Sequence, residues 1–98
     1  MINLKSEINN YLINCTSQKN LSSHTLKAYR IDLTQFLLFK ENMSLSKSNL
    51  TEYIQELHTK YKPKTVKRKI ASLKAFVHYL YFEDLIESNP FEQNRYHI

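Results

Sequence analysis

Apolar residues along this chain recur with a helical period, and no segment alternates with period two. Over about 3–16, Leu4, Ile8, Tyr11, Leu12 and Cys15 form one stripe, and Asn3 is placed to cap it. The polar run Ser17 to Asn20 reads as a loop. A second helix is predicted over about 22–42, capped by Ser22 or Ser23. Leu26, Tyr29, Leu33, Phe36 and Leu37 share its face, and the stem of Lys40 lies at the edge. Ile31 and Leu38 fall off that face. The third helix, about 46–58, has Ser46 as N-cap and Leu45 set to staple onto Leu50. Its apolar positions are Leu50, Tyr53, Ile54 and Leu57. The fourth, about 63–86, opens with Pro63 at its first position and buries Val66, Ile70, Leu73, Val77 and Leu80. Asn89-Pro90 closes it, because the residue before proline is pushed out of helical geometry. These elements predict an all-α domain over 1–90, a four-helix bundle of two crossed helical hairpins. The tail, 91–98, is expected to leave as an extended segment, with Phe91 folding back onto the core.

Composition removes most chemistry from consideration. A length of 98 residues sets one domain. With no glycine at all, a Gly-rich phosphate loop is excluded. Cys15 is the lone cysteine, so there is no internal disulfide, and its place on an apolar stripe makes it a core residue. His24, His58, His78 and His97 lie in different elements without ligand spacing, so neither a metal nor a cofactor is expected. Tyr11, Tyr29 and Tyr53 sit on buried stripes, and Tyr79 and Tyr81 join Phe76 and Phe82, so packing explains the tyrosines better than nucleophilic chemistry. No apolar run approaches membrane-spanning length, and MINLKSEINN lacks a signal core, so a cytoplasmic protein is expected.

Charge then redirects attention to the fourth helix. The formal net charge is +5 and the pI about 9.4, which favours a polyanionic partner. Lys60, Lys62, Lys64, Lys67, Arg68, Lys69 and Lys74 make up half of the 14 basic residues, and no acid occurs between Glu56 and Glu83. With Val66 as the centre of the buried stripe, Lys64, Arg68, Ala71, Ser72 and Ala75 point the other way. That face is basic at its start and small beyond, as a helix set against a DNA groove would be, and the helix N-terminus itself favours phosphate. The plainer reading is a solvated basic face; the missing acids argue against it, because solvated helix faces normally mix both signs. In the second helix, Ser23, His24, Thr25 and Lys27 offer donors for a phosphate backbone, against a plain capping role. Two other classes of function use different features. A protein-interaction module would use Ile31 and Leu38, and a helix-turn-helix regulator would need a short recognition helix after a tight turn.

Two stretches carry a resemblance. SSHTLKAYRIDLTQFLLF (22–39) and KTVKRKIASLKAFVHYLYFEDLIESNPF (64–91), separated by LSKSNLTEYIQEL, resemble the core-binding domain of tyrosine recombinases, the phage-integrase family. The shared features are Ser-x-x-Thr, Tyr and Leu-x-x-Phe in the second helix, Lys-Thr-Val-x-x-x-Ile-x-x-Leu-x-x-Phe in the fourth, and the closing Asn-Pro-Phe. The chain departs from the pattern where such domains often place a glycine before the Asn-Pro exit; Asp84 or a neighbour stands there. The resemblance implies a SAM-like bundle forming half of a clamp on double-stranded recombination-site DNA. Its second and fourth helices would face the DNA, and its first would meet other recombinase protomers, while the isolated domain is expected to be monomeric. Carried over by position, the contacts would be Ser23, His24, Thr25, Lys27, Lys64, Thr65, Lys67, Arg68 and Ser72. The family's catalytic residues belong to a separate C-terminal domain, so no enzyme is expected in these residues. The tail would begin an interdomain linker.

Overall fold

A computed structural model of the chain describes residues 3–18, 21–39 and 45–91. The described residues form four helices: α1 (Leu4–Gln18), α2 (Ser23–Phe39), α3 (Lys47–Lys60) and α4 (Pro63–Phe82). Their starts follow from single side chains. Asn3 Oδ1 accepts the Ser6 N–H at 3.1 Å, Ser22 Oγ accepts that of Thr25 at 3.2 Å, and Ser46 Oγ accepts that of Asn49 at 3.2 Å. Each satisfies an amide that the first turn leaves without an intrahelical partner. Leu45 is half-buried against the core, and Pro63 opens α4.

Two ends differ from expectation. Ser17 and Gln18 continue α1 instead of starting a loop; the Thr16 and Ser17 hydroxyls donate to the carbonyls of Leu12 and Ile13 at 3.0 and 3.1 Å, a bond made inside the helix. Residues 40–42, expected in the second helix, lie outside the described residues. The fourth helix stops at Phe82, short of Leu85 and Ile86. Here the Leu85 N–H reaches back to the Leu80 carbonyl at 2.9 Å and the Asp84 N–H to that of Tyr81 at 3.1 Å, a Schellman closure. Asp84 supplies its left-handed residue, φ 61°, where glycine would be the cheaper choice. The stop also has a packing reason. One more helical turn would carry Ile86 to the solvent side, whereas the turn lets it pack on the core, followed by Phe91. Phe91 N–H is held by Asn89 Oδ1 at 2.9 Å, and its ring lies 5.8 Å from the Lys74 ammonium.

The core has two aromatic centres. Tyr11 stacks with Tyr29 at 6.4 Å and meets Phe76 and Tyr79 at 5.6 and 5.1 Å. Phe36 and Phe39 meet the edge of Tyr53 at 5.1 and 5.2 Å. Cys15 is completely buried among them, as its stripe requires. Burial raises the pKa of the Tyr11 and Tyr79 hydroxyls and pushes that of Tyr53 up to about 12. These phenols therefore keep their protons and act as packing groups. α4 packs against each of the other three helices, which makes it the organising element of the bundle. The result is an all-α four-helix domain.

Candidate nucleic-acid interface

The buried arc of α4 decides which of its cations are free. Buried are Val66, Lys69, Ser72, Leu73, Phe76, Val77 and Leu80, so the arc is centred about 50° from Val66, toward Lys69. Ser72 was expected on the outer face, and here it is a correction: it is 3% exposed and turned inward. Ala75 likewise packs against the core, so the small outer surface reduces to Ala71. The exposed stripe runs instead through Lys64, Lys67, Ala71, Lys74 and His78, with Arg68 at its α2-facing edge. The rotation has a visible cause: Phe76 belongs to the buried arc, and Val66 lies toward its edge.

Asp32 of α2 faces this buried arc. Its carboxylate is buried, with a side chain only 1% exposed, and three groups of α4 converge on it. Arg68 Nη1 donates to Oδ2 at 2.7 Å, Ser72 Oγ donates to Oδ2 at 3.0 Å, and Lys69 Nζ donates to Oδ1 at 3.0 Å. Lys69 Nζ also donates to Gln35 Oε1 at 2.7 Å and sits 5.1 Å from the centre of the Tyr61 ring. Gln35 Nε2 in turn donates to the Tyr61 hydroxyl. A buried charge is tolerated when it is paired and hydrogen-bonded, and both ionic members of this cluster are. Arg68 differs from them: its side chain is 49% exposed, so one arm of the fork is anchored while the rest faces solvent.

The same contacts give the direction of the helices. Asp32 meets Ser72, and one turn further along α2 Gln35 meets Lys69, so α2 and α4 run antiparallel. The two predicted contact clusters, 23–27 and 64–68, therefore lie at opposite ends of the pair, on the order of 20 Å apart by helix rise. At the α2 end, Ser23, His24 and Lys27 are exposed, and Thr25 is half-buried and engaged in the cap through Ser22. At the α4 end, Lys64 and Lys67 are exposed and Thr65 is half-buried. Among the described residues no carboxylate pairs with Lys62, Lys64 or Lys67. Nor does any side chain cap α4, whose first turn carries no acid, so its first amides have no side-chain acceptor.

Sequence reasoning missed two residues. Asp32 lies on the flank of the α2 stripe, and only the conjunction of a flanking acid with a flanking Lys69 signals the pair. Arg30, exposed and linked to Asn9 Oδ1 at 3.3 Å, adds a cation between the two ends. Ile31 and Leu38 are exposed as expected, at 55% and 77%, and border an open cleft of about 800 Å³ between α2 and α3. No group of three or more metal-ligating side chains occurs among the described residues, and no described helix is long and apolar enough to cross a membrane.

The family model described as phage integrase, N-terminal SAM-like domain, matches residues 8–84. A tyrosine recombinase of Agathobacter rectalis is 46% identical over 99% of the chain and 33% of its own length. A tyrosine recombinase XerC of Thermodesulfovibrio yellowstonii is 40% identical over 92% of the chain and 31% of its own length. The XerC recombinase of Staphylococcus saprophyticus is 36% identical over 85% of the chain and 30% of its own length. The chain thus spans about a third of the relatives it matches. No solved structure matches it.

Proposed function

The chain belongs to the phage-integrase N-terminal SAM-like family of tyrosine recombinases, and from that membership we propose that it binds double-stranded DNA through the exposed edges of α2 and α4. The family's catalytic domain lies outside these residues, so they contribute grip and position instead of bond chemistry. The observation that carries the reading is the stripe Lys64, Lys67 and Lys74, exposed on a helix that lacks any acid from Pro63 to Phe82. Phosphate contacts supply most of the affinity of such a surface and fix its register. With cations at both ends of the α2–α4 pair, on the order of 20 Å apart, the surface is wide enough to touch both backbones beside a major groove about 12 Å wide. The open first turn of α4 adds amides and a partial positive charge at one of those contacts.

In the longer protein, this domain would form half of a clamp around recombination-site DNA in a breaking-and-rejoining recombinase. Other protomers would meet it along α1, where Ile13 is 65% exposed. The tail beyond Phe91, expected to begin an interdomain linker, lies outside the described residues. Fluorescence anisotropy with a labelled duplex at several salt concentrations tests the DNA contact. The chain should bind at the non-specific level, roughly 10⁻⁴–10⁻⁶ M at physiological salt. Lys64→Ala and Lys67→Ala should each weaken binding and lower the salt slope by about 1. Salt-independent binding, or slopes untouched by both substitutions, would overturn the proposal.

One observation favours a second reading. The cleft bordered by Ile31 and Leu38 is open and mixes apolar with charged side chains such as Arg30 and Glu56, and a protein partner seated there would be insensitive to Lys64 and Lys67.

A further inference from the structure

We propose that Asp32 is a positioning residue for DNA binding: it holds one arm of Arg68 in advance and so aims the rest of the guanidinium at a backbone phosphate. The inference rests on the DNA-binding reading above and goes beyond it, because it assigns a role to a buried acid that touches no DNA. An acid beside a phosphate site ordinarily repels the ligand. Here the carboxylate is buried and faces two cations, Arg68 and Lys69, so the cluster as a whole remains positive. Its two oxygens are divided between them, Oδ2 to Arg68 Nη1 and Oδ1 to Lys69 Nζ, and Ser72 Oγ fixes Oδ2 from the far side. Lys69 is in turn held by Gln35, so the carboxylate sits in a frame that has little freedom to follow the arginine. Arginine offers five donors in a rigid planar fork, and only one nitrogen is engaged by Asp32. The half of the side chain left in solvent lies next to Lys64 and Lys67 on the α4 surface. A free arginine loses rotamer freedom when it clamps a phosphate; one already anchored has lost that freedom on folding.

In a variant of unchanged net charge, simple charge predicts unchanged binding and positioning predicts a loss, which gives the test. Asp32→Asn combined with Lys69→Gln keeps the net charge of the chain at +5 and leaves the core neutral. Duplex binding is measured for the wild-type chain, this double variant, and each with Arg68→Ala, after far-UV circular dichroism and a cooperative melt establish folding. The double variant should bind about three- to tenfold more weakly than wild type, the range expected from freeing one long side chain. Arg68→Ala should then cost much less in the double variant than in the wild type. An equal cost in both backgrounds overturns the positioning role while leaving DNA binding standing. If Lys64→Ala, Lys67→Ala and Arg68→Ala all leave wild-type binding unchanged, the DNA-binding reading itself fails, and this inference with it.

A second measurement does not depend on how the double variant folds. Nitrogen relaxation at Arg68 Nε in the free wild-type chain should report a side chain nearly as rigid as the backbone, with an order parameter near about 0.85. A value below about 0.6, the flexible range, would contradict advance positioning.

Discussion

Two lysine–carboxylate pairs in this chain have nearly the same length and opposite circumstances. Lys60 and Glu56 are 2.8 Å apart within α3, at the rim of the cleft beside α2, with side chains 60% and 38% exposed. Lys69 and Asp32 are 3.0 Å apart between α4 and α2, at 7% and 1%. The first is an i, i+4 pair within one helix, where water and salt screen both charges and each partner is well solvated alone. The second joins elements 37 residues apart and is shut away from solvent, so removal of either partner strands the other in a poor dielectric. Distance does not separate the two cases; burial and the supporting hydrogen bonds do. The buried pair also has a consequence that the exposed one lacks. It joins α4 to α2 on the buried side, while Lys64 and Lys67 stand on the exposed face and Arg68 at its edge.

Substitutions can break that comparison. Asp32→Ala removes the acceptor of Arg68, Lys69 and Ser72 together and should lower the unfolding free energy by ~3–5 kcal/mol in a urea titration. A loss below about 1 kcal/mol would place the buried pair with the exposed one. Asp32→Leu with Lys69→Met should recover most of the loss, since an apolar pair of similar volume avoids the desolvation cost.

Asp84→Gly supplies a yardstick between the two pairs. It relieves the left-handed backbone at the end of α4 without touching either, and should raise stability by ~1 kcal/mol in the same titration. A loss there would mean that the aspartate side chain, not the backbone turn, holds the exit. The smallest effect belongs to Glu56→Gln, for which the melting temperature should stay within experimental error. A clear drop would show that exposed and buried pairs are closer in worth than their surroundings imply.

The contrast also shows what the sequence could and could not reveal. Asn3, Ser46 and Pro63 act within a turn of their own position, so the starts of α1, α3 and α4 were legible. Stripes such as Leu50, Tyr53 and Leu57 were legible for the same reason. A wheel centred on Val66 places Ser72 outward because it leaves Phe76 out of the stripe; the inward direction of Ser72 goes with its bond to Asp32 on another helix, which periodicity does not contain. The end of α4 was placed too late because an aspartate in the left-handed region is a weaker sign than a glycine. Of the nine expected DNA contacts, Lys64, Lys67, Arg68, Ser23, His24 and Lys27 do reach the surface, which follows from local periodicity. Their separation into two ends of an antiparallel pair is tertiary, and no periodicity contains it.

The most direct test of the central claim is an amide chemical-shift titration of the chain with a generic duplex at low and moderate salt. Shifts should concentrate at 23–27 and 62–74 and shrink as salt rises, with the Arg68 side chain among the largest. Shifts confined to the cleft beside Ile31 and Leu38, or none at millimolar DNA, would contradict that claim.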